Sequence, residues 1–265
     1  MSSALLTSLL AKAEKLEELE PAVRADEPDA VHQMRVAART LRANLRTFAD
    51  VLPDSGDLVG ELAWLGDALG PAREAEVMAE VVLGLLARTP EDLVVGPVRE
   101  RVEQVFGLDH ESALTVVAET LDSERYHELV RALKAYAESA KPGRKPDLSK
   151  LHRKVRRRMR AALPMPHGPE RDVAMHDARK ATRRARYAAE ALGHPSKPIK
   201  ALADVLGEEH DRVVTATALT DLAAGANQAG ENAFTYGVLL GLVRCDSRKF
   251  DKQVRKAWRK ARKEL

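Results

Sequence analysis

Only one cysteine, Cys245, occurs among the 265 residues. A lone thiol excludes an internal disulfide, and with it the small disulfide-stapled scaffolds, and it fits a reducing compartment. No apolar run reaches the ~20 residues needed to cross a bilayer, so no membrane span is expected. Residues 1–20 quickly become rich in Lys and Glu and show no signal-peptide cleavage pattern, which points to a cytoplasmic protein. Aromatics amount to 4%, with two Trp, four Tyr and four Phe. That is few for the stacking platforms of single-strand nucleic-acid binders. Absent too are a glycine-rich phosphate loop, a serine elbow, a CxxC pair and an HExxH helix, which carry common forms of phosphoryl, acyl, redox and zinc chemistry.

What is present is helix. Runs rich in Ala, Leu, Glu, Arg and Lys are punctuated by Gly and Pro, with no convincing alternating strand segment. The pattern predicts helices over roughly 4–20, 29–51, 57–69, 71–88, 97–120, 123–140, 148–163, 170–192, 197–224, 228–244 and 246–263. Asp29 is placed to cap the second of these, and Pro53 with Gly56 to stop it. The stretch Lys141-Pro142-Gly143-Arg144-Lys145-Pro146 reads as a hinge, and residues 164–169 as a turn.

The net charge of +3 conceals a strong segregation. Residues 141–190 hold 16 Lys/Arg against 5 Asp/Glu, and residues 244–265 hold 10 against 3. The remainder is acidic, so the fold should carry a directional field.

One pattern is written twice. His32, Arg35, Arg39 and Arg42 recur 144 residues later as His176, Arg179, Arg183 and Arg186. On a helix these spacings, with Arg46 continuing the first row, put the side chains in one stripe roughly 80° wide. A single basic helix face is ordinarily just solvated. A duplicated one with histidine at the same place implies a polyanion lying along it. Val31, Met34, Ala38, Leu41, Leu45 and Phe48 form the apolar side that would anchor the first stripe. Lys180 and Arg184 widen the second stripe, and Tyr187 beside it is placed either to donate to an anion or to pack. A third basic helix carries Arg153, Arg156, Arg157 and Arg160 opposite Leu151, Val155, Met159 and Ala162. The last helix adds Lys252, Arg255, Lys256, Arg259 and Lys263.

The duplication continues beyond the stripes. Leu65-Gly66-Asp67-Ala68-Leu69-Gly70 matches Leu202-Ala203-Asp204-Val205-Leu206-Gly207, and Asp122 to Tyr126 resembles Asp246 to Phe250. Arg73 and His210 fall at equivalent places, and His210 is expected to join the basic surface. The reading is an all-α domain over 1–265. Two homologous antiparallel bundles, 1–140 and 147–265, are related by an approximate twofold with a basic central groove or pore between them.

These elements resemble the CHAD family, the conserved histidine α-helical domain. The resemblance rests on Val31 to Arg42, Leu69 to Val77, Leu121 to Tyr126, His176 to Arg186 with Tyr187 and Glu190, and Leu206-Gly207 through Asp211 and Val214, in that order over nearly the whole chain. It implies twin helical bundles and binding of inorganic polyphosphate. It also implies His32, Arg35, Arg39, Arg42, Arg46, Arg73, His176, Arg179, Lys180, Arg183 and Arg186 as ligand contacts. Arg153, Arg157 and His210 complete the expected set. Glu74 and Glu76 stand where the family tends to show aspartates, and His210 stands where the first copy has Arg73. The first motif begins near residue 30, which leaves no room before it for the CYTH domain many members carry.

The expectation is therefore a binding module for long-chain polyphosphate, in the cytoplasm or on polyphosphate granules. No catalytic residue, cofactor or metal site is expected. Guanidinium forks match phosphate oxygens, and a ligand without bases needs no aromatic platform. The alternatives are non-specific nucleic-acid binding through the phosphate backbone and, less well supported, a metal-dependent polyphosphate or triphosphate hydrolase using carboxylates such as Glu74, Glu76 or Asp211.

Overall fold

The breaks and runs of the sequence become eleven helices in the computed structural model, which describes residues 2–245 and 247–265. They are α1 (Ser2–Arg24), α2 (Ala30–Thr47), α3 (Leu58–Ala68), α4 (Gly70–Leu86), α5 (Val98–Asp122), α6 (Glu124–Ser139), α7 (Ser149–Ala162), α8 (Pro169–Ala191), α9 (Lys197–Gln228), α10 (Phe234–Cys245) and α11 (Ser247–Ala261). A single 3-10 turn, Glu91–Leu93, lies between α4 and α5, and there is no strand among the described residues. The repeat element that starts at Asp246 begins outside the described residues.

Three apolar cores hold the helices. The first gathers α1, α2, α3 and α6 around Leu5, Leu16, Met34, Leu41, Leu65 and Leu133, and it takes in Ala188, Ala191 and Leu192 from the end of α8. Tyr126 is buried in it, and its hydroxyl donates to the Leu16 carbonyl at 3.1 Å. The second gathers α7, the first part of α8, the start of α9 and α11 around Val155, Met159, Ala178, Leu202, Val254 and Trp258. Alanines at 178, 181 and 185 let α8 pack closely there. The third joins the far ends of α4, α5, α9 and α10 through Val82, Val102, Leu219, Tyr236 and Leu239.

This arrangement ties the two halves together twice. Helix α2 packs on α8 at one junction, and the third core forms the other. Between them, the first halves of α4 and α9 and the middle of α5 are left facing α2 and α8, and a cleft opens there.

Several local expectations change. Helix α1 runs through Pro21 to Arg24, tolerating one missing N–H. Asp29 precedes α2 but does not cap it: it is left-handed, with φ 67°, and its carboxylate accepts from the Gln33 side chain at 2.9 Å. Helix α2 stops at Thr47, before Pro53 is reached, because the Phe48 carbonyl accepts from both Val51 and Leu52 at 2.8 Å and turns the chain. The 141–146 connector is docked, not loose. The Gly143 N–H donates to the Val51 carbonyl at 2.8 Å, Arg144 pairs with Asp50, and the Tyr136 hydroxyl secures Pro53 at 2.7 Å. A pinned connector is a poor hinge.

Candidate functional site

Helix α2 turns Val31, Met34, Ala38, Leu41 and Leu45 into the first core, which aims His32, Arg35 and Arg39 the other way. Helix α8 buries its alanines in the second core and aims Arg179, Arg183 and Arg186 at the same space. The two helices are fastened at their junction by Arg184, which donates to Thr47 Oγ1 at 2.6 Å and to the Arg46 carbonyl at 2.8 Å. The space they face is a cleft of about 1220 Å³. Arg73 of α4 and His210 of α9 enter it from the far side.

The cleft has two unlike walls. Its lining includes six arginines, five of them on α2 and α8. It also includes six carboxylates, Asp67, Glu74, Asp109, Asp204, Glu208 and Asp211, all on α3, α4, α5 and α9. The groove is therefore cationic on one side and acidic with apolar patches on the other, not basic throughout. Near the rim, arginines and carboxylates meet. Arg35 donates to the Gly70 carbonyl at 2.8 Å and pairs with Glu74 at 3.3 Å, and Arg186 pairs with Asp204 at 3.1 Å. A Cβ on Gly70 would stand 3.2 Å from the Arg35 guanidinium, so glycine is what allows this approach.

Deeper in, Arg39, Arg179 and Arg183 have no carboxylate partner among the described residues. The Nε atoms of Arg39 and Arg179 are sealed from solvent without a hydrogen bond. Burial, then repulsion from Arg183, lowers Arg179 to about 10 against the opposing pull of Asp211. Burial lowers Arg39 as well, opposed by Tyr187 and aided by Arg183 and Arg35. The buried Tyr187 ring lies under Arg186 at 4.9 Å, and its hydroxyl is 3.5 Å from Arg183 Nη2. Burial alone would raise that hydroxyl, yet Arg39, Arg183 and Arg186 bring it below its ordinary value. Two partly desolvated guanidiniums, Arg39 and Arg179, with Arg183 beside them and none of the three in an ion pair among the described residues, form a wall suited to a multiply charged anion.

The sequence model of the CHAD domain matches residues 7–220. The chain belongs to the CHAD domain family. Two curated relatives from Mycobacterium tuberculosis, the uncharacterized protein Rv2226 of strain H37Rv and the uncharacterized protein MT2285 of strain CDC 1551, are 36% and 35% identical over 274 aligned positions. These alignments cover 93% of this chain and 53% of each relative, so the chain spans about half their length. Among solved structures, PptA from Streptomyces chartreusis superposes with a TM-score of 0.80 at 22% identity, covering 98% of this chain and 99% of that one. The CHAD domain from the plant Ricinus communis gives 0.72 at 26% identity, covering 97% and 91%.

Within this CHAD domain the expected ligand residues separate into two groups. His32, Arg35, Arg39, Arg73, Arg179, Arg183, Arg186 and His210 line the cleft. His176 lies just behind it, in a hollow of about 240 Å³ shared with Arg179 and His210, its ring 5.0 Å from that of His210. Arg42, Arg46, Lys180, Arg153 and Arg157 are outside the lining. Arg42 is half-buried and Arg46 exposed, toward the end of α2 where Arg184 of α8 bonds to Arg46 and Thr47. Lys180 is exposed on α8. Arg153 and Arg157 point outward because Val155, Met159 and Ala162 turn the opposite face of α7 into the second core.

The histidines are held neutral. Burial first, then Arg73, lowers His32; burial, then Lys180 and Arg179, lowers His176. His210 falls to about 4 through burial, Arg179 and His176. Among the described residues no group of three His, Cys, Asp or Glu is arranged to hold a metal ion. No described helix is long and apolar enough to cross a membrane. The wall contributed by α5, with Phe106, Asp109, Ser112 and Val116, escaped the sequence reading, since nothing in its pattern marks it.

Proposed function

We propose that this CHAD domain binds inorganic polyphosphate, laid along the α2–α8 wall of the cleft. The observation that supports the reading is the convergence in the cleft of Arg39, Arg179 and Arg183, none of them in an ion pair among the described residues and the first two lowered by burial, from the two copies of one sequence motif. A chain with a negative charge on every unit supplies oxygens to all three at once. The proposal is of binding alone, with no catalytic role for Glu74, Glu76 or Asp211. Such binding would carry the protein to polyphosphate-rich bodies in the cytoplasm.

Nucleic acid is the competing polyanion. It is favoured by the exposed Arg153, Lys154, Arg157 and Arg160 on α7, a helix with no carboxylate of its own. Competition separates the two. With labelled long-chain polyphosphate on the protein, duplex DNA at equal phosphate concentration is expected to displace little of it. Displacement as complete as that by unlabelled polyphosphate would transfer the cleft to nucleic acid. Affinity should also fall steeply with salt in either case, as counterions are released.

The histidines predict a pH dependence. His32, His176 and His210 all lie below their ordinary values in the protein, so they are neutral at pH 7. Folding favours the neutral form. These groups therefore stabilise the unliganded fold above about pH 6.5, and that contribution is lost as pH falls. Phosphates beside them reverse the preference by favouring imidazolium. Binding should take up protons, and affinity should rise as pH drops from about 8 to about 6. Calorimetry in two buffers of different ionisation enthalpy measures the uptake. A pH-independent affinity with no proton uptake would remove the histidines from the site.

A further inference from the structure

The acidic wall is the feature that polyanion binding leaves unexplained. A cleft that takes a polyanion gains nothing from six carboxylates by simple charge. Two of them, however, are not free charges. Glu74 lies on the Arg35 guanidinium at 3.3 Å and Asp204 on the Arg186 guanidinium at 3.1 Å. Each spans the cleft from the α4 or α9 side to the α2–α8 side.

We propose that Glu74 and Asp204 are placeholders that a long polyphosphate must displace and a short one need not, so that they limit how strongly the cleft prefers long chains over short ones. The inference rests on the polyphosphate reading above. A carboxylate and a phosphate oxygen compete for the same guanidinium edge. A short anion can be satisfied by Arg39, Arg179 and Arg183, which carry no carboxylate, without disturbing either pair. A longer chain reaches Arg35 on one side and Arg186 on the other, and it must exchange both carboxylates for its own oxygens.

The pairs are built to be exchanged. The Glu74 side chain is 71% exposed and that of Asp204 is 47% exposed, so a displaced carboxylate moves into water at little cost. The arginines do not collapse when released. Arg35 keeps its bond to the Gly70 carbonyl, and Arg186 keeps the Tyr187 ring at 4.9 Å and Glu190 at 3.5 Å. Asp204 also holds Lys200 at 3.3 Å, so its departure exposes a further cation to the ligand. The energies are those of surface ion pairs, small singly and together enough to shift the preference between long and short chains.

The test compares wild type with E74Q/D204N, and with D109N/E208Q as the control. Asp109 and Glu208 line the same cleft and carry no ion pair among the described residues. Affinities are measured for triphosphate and for long-chain polyphosphate. E74Q/D204N should bind the long chain about three- to tenfold more tightly, as expected for releasing two exposed pairs, and bind triphosphate within about twofold of wild type. The control should change both ligands alike and by less. Equal tightening by the two double variants, or tightening of triphosphate as much as of the long chain, would reduce the effect to net charge and overturn the proposal. Wild type that binds neither ligand defeats the polyphosphate reading itself, which is a different outcome.

Discussion

Replacing Arg39, Arg179 and Arg183 together by alanine should lower polyphosphate affinity more than about a hundredfold while leaving the melting temperature unchanged or higher. Each guanidinium offers charge-assisted hydrogen bonds worth about 1.5–3 kcal/mol, so even partial engagement of three exceeds that loss. The stability half of the expectation is the more informative. Most buried arginines are paired, and removing one leaves its partner stranded. These three have no carboxylate partner among the described residues, and burial already lowers Arg39 and Arg179. The charges of Arg39 and Arg179 oppose folding, so alanine relieves repulsion at the expense of some packed side-chain stem. Fluorescence titration reads the affinity and a circular dichroism melt the stability. A variant that unfolds would make these arginines structural. Lysine at the same positions should recover only part of the affinity, since a point charge lacks the fork.

The opposite result is expected at the other buried arginine. Arg171, in the first turn of α8, is 2% exposed and pairs with Asp251 of α11. Its Nη1 lies 2.5 Å from His167 Nδ1, and His167 Nε2 is 3.0 Å from Asp251. Nδ1 accepts and Nε2–H donates, which closes a ring of three side chains. This ring binds α8 to α11, and none of its three residues lines the cleft. Asp251→Ala strands a buried guanidinium and should cost about 3–5 kcal/mol in chemical denaturation, with polyphosphate affinity unchanged at temperatures where the fold persists. An apolar pair, R171M/D251L, should recover most of that loss, because two well-packed apolar groups replace a buried ion pair at little net cost. A mild D251A variant, or an R171M/D251L variant no better than it, would show that the ring does not hold the bundle.

The two arginine sets also show how far the sequence could be read. Helix spans followed from composition and breaks, and α2 and α8 lie within a few residues of their expected ranges because the duplicated stripe is so periodic. The stripe fixed which face of each helix is cationic. It could not fix how far along the helix the cationic lining of the cleft extends. Arg42 and Arg46 share the face of Arg39 but stand about 5 and 10 Å further along the axis, at 1.5 Å per residue. Helix α8 crosses at that level, as the Arg184 bonds to Thr47 and Arg46 record, and the cleft has already closed. Helix α7 shows the same limit in rotation. Its basic face was legible, and its direction was set by the core that Val155 and Met159 enter. The acidic wall was the least legible part. Asp109 and Val116 reach the cleft only because the α4–α5 hairpin folds back toward α9 to build the third core. Nor could sequence separate Arg171 from its neighbours, since the ring that buries it joins residues about 80 positions apart.

A structure of the protein with bound medium-chain polyphosphate tests the account most directly. Phosphate groups are expected in the cleft, bridging Arg39 of α2 and Arg179 and Arg183 of α8, with the Arg35–Glu74 and Arg186–Asp204 pairs opened where the chain reaches them. A chain lying only on the outward faces of α7 and α11, with those three arginines untouched, would contradict it.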